Sequence, residues 1–251
     1  MLLAALVLGA AACTGAPAPD TADRLRPEVL AEQPHDPAAF TQGLEVSGDV
    51  LYEGTGLVGA SQLRELDPVS GALRRAVPLP GALFGEGVTV VGDRIWQLTW
   101  RDGVALEWDR ATLRLLRQVP MDGEGWGLCR DGDRLVRSDG TGELRFHDPA
   151  TFAETGSVAI TLDGDDPGRL NELECVDGQV WANVWPTDRI VRIDPAAGVV
   201  TAVVDASDLL DRDRPGAERA QVLNGIAAVG GGEFLLTGKF WPTTFRVRFV
   251  P

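Results

Sequence analysis

The chain has 251 residues, 44% of them hydrophobic, enough to bury one substantial core or two smaller ones. Its 37 acids against 23 Lys and Arg leave a formal net charge of −14, which excludes the broad basic surface that a phosphate backbone requires, so no nucleic-acid partner is expected. The 30 Gly and 16 Pro, interleaved with short Val/Leu/Ile runs and Gly-Asp turns, describe an all-β protein rather than a helical one.

The chain opens with "MLLAALVLGAAACTGAPAPD" (1–20), a short apolar run followed by small residues and a Pro/Ala segment. It reads as an export signal and is too short to stay as a bilayer span. Residues 1–25 are therefore assigned to the signal and its linker, and the mature protein is expected to be periplasmic or extracellular. Cys13, after Ala10–Ala12, resembles a lipoprotein cleavage site, and a lipid there would be the one membrane contact. No Lys or Arg precedes the apolar run, so ordinary signal cleavage nearby stands as the alternative.

The segment "RPEVLAEQPHD" (26–36) is strand-like, and after it a repeat begins. "TQGLEV" (41–46), "GEGVTV" (85–90), "GWGLCR" (125–130), "LNELEC" (170–175) and "LNGIAA" (223–228) line up at intervals of roughly 40–50 residues, the length of a four-stranded unit. Each copy continues into a second strand, such as "DVLYEGTG" (49–56) or "DRIWQLTW" (93–100), and then a third. Asp67, Asp148 and Asp194 stand before prolines after the third strand and read as turn formers. Fourth strands follow in four copies, whereas the fifth copy ends after its third. The strand at 26–36 is expected to supply the missing one. The expected fold is all-β, a five-bladed β-propeller over 26–251 with the N-terminal strand completing the last blade. Cys129 and Cys175 each follow a strand-like run; one disulfide is an option, and buried free thiols are the expectation.

Aligning the repeats places Gln42, Glu86, Trp126, Asn171 and Asn224 at equivalent first-strand positions, with Gly56, Trp100, Gly140, Trp185 and Lys239 at the ends of the second strands. In antiparallel neighbours those two sets share one edge. The side chains are thereby expected around one mouth of a central channel, forming an aromatic-lined pocket with few polar groups. Gly85 and Gly87 would let a ligand approach the backbone beside Glu86. Each residue also has a plain structural role open to it: a solvated turn acid paired with Lys239, core tryptophans, or asparagines satisfying turns. His35 and His147 lie on different elements and make no zinc site, whereas the Asp-rich turn "LDGDDPG" (162–168) leaves a calcium site open. No GxSxG, P-loop or dinucleotide fingerprint is present.

"HDPAAFTQGLEV" (35–46), "LYEGTGLVGASQLRELD" (51–67), "FGEGVTV" (84–90), "WQLTW" (96–100), "GEGWGLCRDG" (123–132), "SDGTGELRFHDP" (138–149), "LNELECVDGQVWANVWPTD" (170–188), "VLNGIA" (222–227) and "TGKFWP" (237–242) recur in order over most of the chain. On these motifs the chain resembles the plant-type glutamine cyclotransferases, as a bacterial member. The resemblance implies a five-bladed propeller that cyclises N-terminal glutamine of peptides or proteins to pyroglutamate with release of ammonia. It also implies Glu86 as catalytic acid/base, Asn171 and Lys239 as polar site residues, and Phe40, Gln42, Trp100, Trp126 and Trp185 as pocket walls, with Asn224 alongside. No metal or cofactor is implied, and a monomer is expected. The segment "DASDLLDRDRPGAERAQ" (205–221) falls where the family pattern varies and leaves peptide preference open. Two other classes compete: a non-catalytic exported propeller that binds a peptide or protein at the same mouth, and a metal-dependent lactonase or lyase on a propeller.

Overall fold

The computed structural model describes residues 21–251. Cys13 and the export segment up to residue 20 lie outside the described residues. Among those described, every regular element is a β-strand. Three sheets have four strands each: β2 (Thr41–Ser47), β3 (Val50–Thr55), β4 (Gln62–Leu66) and β5 (Leu73–Pro78); β6 (Gly85–Val91), β7 (Arg94–Thr99), β8 (Val104–Asp109) and β9 (Leu115–Pro120); and β10 (Leu128–Asp131), β11 (Arg134–Ser138), β12 (Glu143–His147) and β13 (Glu154–Ala159). A fourth sheet joins β14 (Arg169–Val176), β15 (Gln179–Trp185), β16 (Arg189–Asp194) and β17 (Val199–Asp205) to β18 (Leu223–Gly230), β19 (Glu233–Gly238) and β20 (Thr243–Val250). The join is β1 (Asp23–Pro34), parallel to β17 through Asp23–Leu25 and then antiparallel to β20 from Arg26 onward. It begins at Asp23, ahead of the strand-like pattern at Arg26.

Burial is greatest in the inner strands of the four-stranded sheets and least in their last strands, and the sequence follows it. β7 (RIWQLT) is buried from Ile95 to Thr99 because sheets cover both of its faces, and it reads as an uninterrupted run. The outer strands β5, β9 and β13 are largely exposed and carry arginines or small polar residues instead. The loops before the fourth strands turn on an aspartate. Asp67 Oδ1 accepts from the amides of Val69 and Ser70, Asp148 Oδ1 from Ala150 and Thr151, and Asp194 Oδ1 from Ala196 and Ala197.

The first strands β2, β6, β10, β14 and β18 pack on one another in cyclic order. Their backbones approach so closely that side chains are excluded at the contact. A Cβ at Gly43 would lie 2.6 Å from Val88 N, one at Gly87 2.6 Å from Leu128 N, and one at Gly127 2.1 Å from Asn171 O. Sequence alone assigns Gly85 and Gly87 to ligand approach; in the structure they admit neighbouring backbone, since a Cβ at Gly85 would meet Thr55 O at 2.7 Å. Acids satisfy first-strand amides across the gaps. Glu172 accepts from Leu44 N (3.0 Å) and Ile226 N (2.8 Å), Glu174 from Ala228 N, and Glu45 from Val90 N. Burial pushes all three carboxyls up, Glu45 to about 7.

The expectation of free thiols is corrected: Cys129 and Cys175 form a disulfide, with Cα atoms 5.4 Å apart. The cysteines sit on β10 and β14, which lie side by side in the cyclic packing, a proximity that the strand-by-strand pattern does not carry.

Where the chain leaves β1, His35 ties three elements together. Its Nδ1 lies 2.7 Å from Trp241 O and its Nε2 2.9 Å from Glu53 Oε1, so both ring nitrogens face acceptors. Glu53 is fully buried and also accepts from Thr41 Oγ1 at 2.7 Å. Burial opposes the charge on His35, yet Glu53 and the Trp241 carbonyl outweigh it and raise its pKa; His35 and Arg64 in turn outweigh the burial of Glu53 and hold that carboxyl low. The imidazolium's contribution to stability is complete below the ordinary histidine value and is lost as pH rises through the raised one. That of Glu53 is complete above the ordinary glutamate value and is lost as pH falls through its lowered one. We therefore expect His35→Gln to cost about 3–5 kcal/mol between those limits. In denaturant unfolding as a function of pH, its deficit against the unsubstituted protein should shrink on the alkaline side.

Candidate active site

Four of the five first strands carry a register shift at the same place. The shifts lie between Thr41 and Gly43 in β2, Gly85 and Val88 in β6, Leu170 and Leu173 in β14, and Leu223 and Ile226 in β18. Gln42, Glu86, Asn171 and Asn224 sit inside these bulges, which bend a strand and re-aim its side chains. In the third group β10 starts only at Leu128, and Trp126 occupies the corresponding approach.

A cavity of about 430 Å³ opens there, lined by Phe40, Gln42, Phe84, Glu86, Trp100, Arg101, Trp126, Arg169, Asn171, Trp185, Gln221 and Lys239. Eight of the nine residues singled out from sequence line it. Asn224 does not; it is fully buried behind Gln42.

Asn224 fixes the polarity of what stands in front of it. Its Nδ2 donates to Thr41 O, a backbone acceptor, and also to Gln42 Oε1, each at 3.0 Å. Gln42 must then turn its Nε2 toward Glu86, donating to Oε1 at 2.8 Å. Glu86 is thus an obligatory acceptor at Oε1, while Oε2 is buried and has no hydrogen-bond partner. Burial is the largest influence on Glu86 and raises its pKa well above the ordinary glutamate value; the charge of Lys239 and the Gln42 hydrogen bond pull down, and the charge of Glu124 pushes up. Lys239, 6% exposed, is itself lowered by burial against the pull of Glu86, and its ammonium lies 4.8 Å from the centre of the Phe40 ring. Asn171 Oδ1 is a second buried acceptor without a partner.

The walls are a linked aromatic series. Phe240 packs on Phe40 (5.1 Å between ring centres), Phe40 on Phe84 (6.0 Å), Phe84 on Trp100 (5.5 Å), and Trp126 on Trp185 (5.8 Å). Glu124 joins the two halves, accepting at Oε2 from the indoles of both Trp100 (2.8 Å) and Trp126 (2.9 Å), and at Oε1 from Arg101 (2.7 Å). Its burial pushes upward, but the hydrogen bonds from Trp126, Arg101 and Trp100 prevail and hold it ionised below the usual range. Glycine at two second-strand ends makes room for these rings. A Cβ at Gly56 would meet Phe84 at 2.6 Å, and one at Gly140 would meet Trp126 at 2.5 Å.

Sequence reasoning missed Phe84, Arg101, Glu124, Arg169 and Gln221 as site residues. Phe84 and Glu124 stand two residues before Glu86 and Trp126 within the aligned repeats, so the equivalent position in each copy was the available signal. A cavity of about 440 Å³ lies by the β14–β15 and β18–β19 turns; of its two acids, Asp177 and Glu233, the second is taken up by Arg246 and Arg248. Among the described residues no group of three or more His, Cys, Asp or Glu side chains is placed to hold a metal ion. The first cavity therefore offers an open carboxylate oxygen, an open amide oxygen and an ammonium within an aromatic box. That set can accept, return and stabilise charge on a small polar group.

Comparison with known proteins gives the chain's relatives. A family model described as glutamine cyclotransferase matches residues 1–249. A glutaminyl-peptide cyclotransferase of Arabidopsis thaliana is 38% identical over 226 residues, covering 88% of this chain and 70% of the relative. The crystal structure of Myxococcus xanthus glutaminyl cyclase superposes with a TM-score of 0.82 at 39% identity, covering 91% of this chain and 98% of that one.

Replacing Glu124 by alanine should release both indoles at once. The near-ultraviolet circular dichroism should weaken and tryptophan emission should move to longer wavelength, with the far-ultraviolet spectrum retained. Unchanged aromatic spectra would show that Glu124 does not hold the wall.

Proposed function

The chain belongs to the glutamine cyclotransferase family and is an acyltransferase, and we propose that it converts the N-terminal glutamine of peptides or proteins to pyroglutamate without a metal ion, Glu86 carrying the proton. The observation that carries the proposal is Glu86 Oε2, a buried carboxyl oxygen at the cavity that no protein group hydrogen-bonds, while its twin is held by Gln42.

In the reaction the substrate's α-amine nitrogen attacks the carbonyl carbon of its own side-chain amide. A carbon–nitrogen bond forms, the carbonyl oxygen becomes an oxyanion, and the bond to the amide nitrogen breaks as that nitrogen takes up a proton and leaves as ammonia. The proton lost by the attacking amine equals the proton gained by the leaving group, so one carboxylate serves both transfers. An α-amine titrates near ~7.7, so a useful fraction is neutral at physiological pH and needs no strong base or metal-bound hydroxide. Burial raises Glu86 above the ordinary glutamate value and so makes it a stronger base toward the amine proton. Lys239 is assigned to the oxyanion, where one donor contributes roughly 3 kcal/mol. Asn171 Oδ1 is assigned to accept from the substrate's N–H groups, and the aromatic walls hold the glutamine in its ring-closing conformer.

The strand groups are read as five blades of a β-propeller, with β1 completing the last. The cyclic contact of the first strands and the pairing of β1 with β20 support this. Export is proposed as well: the Cys129–Cys175 disulfide suits an oxidising compartment.

The test is mass spectrometry of a Gln-initiated peptide incubated with the protein in the presence of a chelator. The expected product has lost the mass of one ammonia, at a rate that falls by about 10²–10⁴ in Glu86→Gln while peptide binding persists. Near-normal turnover by Glu86→Gln would overturn the role of Glu86, and loss of activity with chelator would overturn metal independence.

A further inference from the structure

A glutamine held at Glu86 must send the rest of its peptide out through the cavity mouth, and that mouth is ringed with guanidinium groups although the chain carries a net charge of −14. Arg101 lies over the Trp100 ring, 4.0 Å from its centre, and Arg169 over Trp185 at 4.9 Å; both arginines line the cavity. Arg219 lies over Phe240 at 4.6 Å, and Phe240 packs directly on the wall residue Phe40. All three arginines are exposed. Stacking fixes the plane of a guanidinium and leaves its N–H edges free, the arrangement suited to two parallel hydrogen bonds with a carboxylate.

Three acids close to this end are already paired with arginines, while Asp102 accepts from the amide of Phe84. Glu124 is held by Arg101 and two indoles, Asp188 pairs with Arg212, and Asp139 pairs with Arg145. Among the described residues neither Arg169 nor Arg219 has a carboxylate partner. With a screening length of about 8 Å at physiological salt, these local charges govern a peptide at the mouth and the distant acids do not.

Building on the cyclase reading, we propose that the stacked arginines select substrates with an acidic side chain in the first few residues after the N-terminal glutamine. Arg169 is the main contact because Arg101 is shared with Glu124.

The test uses C-terminally amidated peptides, so that no free terminal carboxylate competes, in three versions with Glu, Ala or Lys after the glutamine. Two quantities are measured: kcat/KM for ammonia release by the unsubstituted protein, and binding to Glu86→Gln followed by tryptophan fluorescence. The Glu peptide should be favoured over the Ala peptide by roughly fivefold at low salt in both, and the Lys peptide disfavoured. The preference should shrink as salt rises and collapse in Arg169→Gln, with Arg219→Glu as a second variant that also removes it. Equal binding of all three peptides, or a selectivity indifferent to both substitutions, would overturn the inference. If no peptide is cyclised, the cyclase reading fails, and the binding series still decides whether the rim selects acidic sequences.

Discussion

The site depends on how closely the five first strands can approach one another. Gly43, Gly87 and Gly127 each lack the side chain that would collide with the next strand's backbone, and that contact brings the ring together. The same crowding interrupts the regular ladders to the second strands, so β2, β6, β14 and β18 bulge at corresponding places. A bulge turns the residue it contains out of the alternating pattern of a strand. Repeated around the ring, it delivers Gln42, Glu86, Asn171 and Asn224 to one end of the molecule. The constraint that closes the fold thus also builds the pocket.

Two buried glutamates show what makes one of them chemical. Glu172 occupies the position that is glycine in the other four copies, is 1% exposed, and gives its two oxygens to the amides of Leu44 and Ile226. Glu86 is equally buried at 3%, yet only Oε1 is taken. Both carboxyls are pushed up by burial. The first is satisfied by the backbone and holds strands together; the second keeps an open oxygen, and an uncompensated buried polar atom costs about 1–3 kcal/mol unless something fills it. The relay from Thr41 O through Asn224 and Gln42 fixes which oxygen stays open.

The strand pattern, the five copies and the pairing of the N-terminal segment with the final strands were legible because each rests on local composition and a repeat interval. So was the gathering of Glu86, Lys239 and the tryptophans, since alignment of copies predicts a shared edge. Contacts between neighbouring copies were not legible. The Cys129–Cys175 bond, the backbone contacts of Gly85 and Gly87, and the bridging of Trp100 to Trp126 by Glu124 all depend on the distance between sheets, which no single strand encodes. Asn224 was placed at the right level of the ring, but its depth behind Gln42 follows from side-chain packing.

The central claim is that Glu86 is an open, buried carboxyl whose pKa, raised by burial, equips it to take up and return a proton. The most direct measurement is its protonation state, read from the carboxyl stretching band in infrared difference spectra of the unsubstituted protein against Glu86→Gln across pH. A band that persists well above the ordinary glutamate range and titrates away as pH rises further is the predicted result. A carboxyl already ionised at or below the ordinary value would contradict it, leaving Glu86 too weak a base to take up the amine proton.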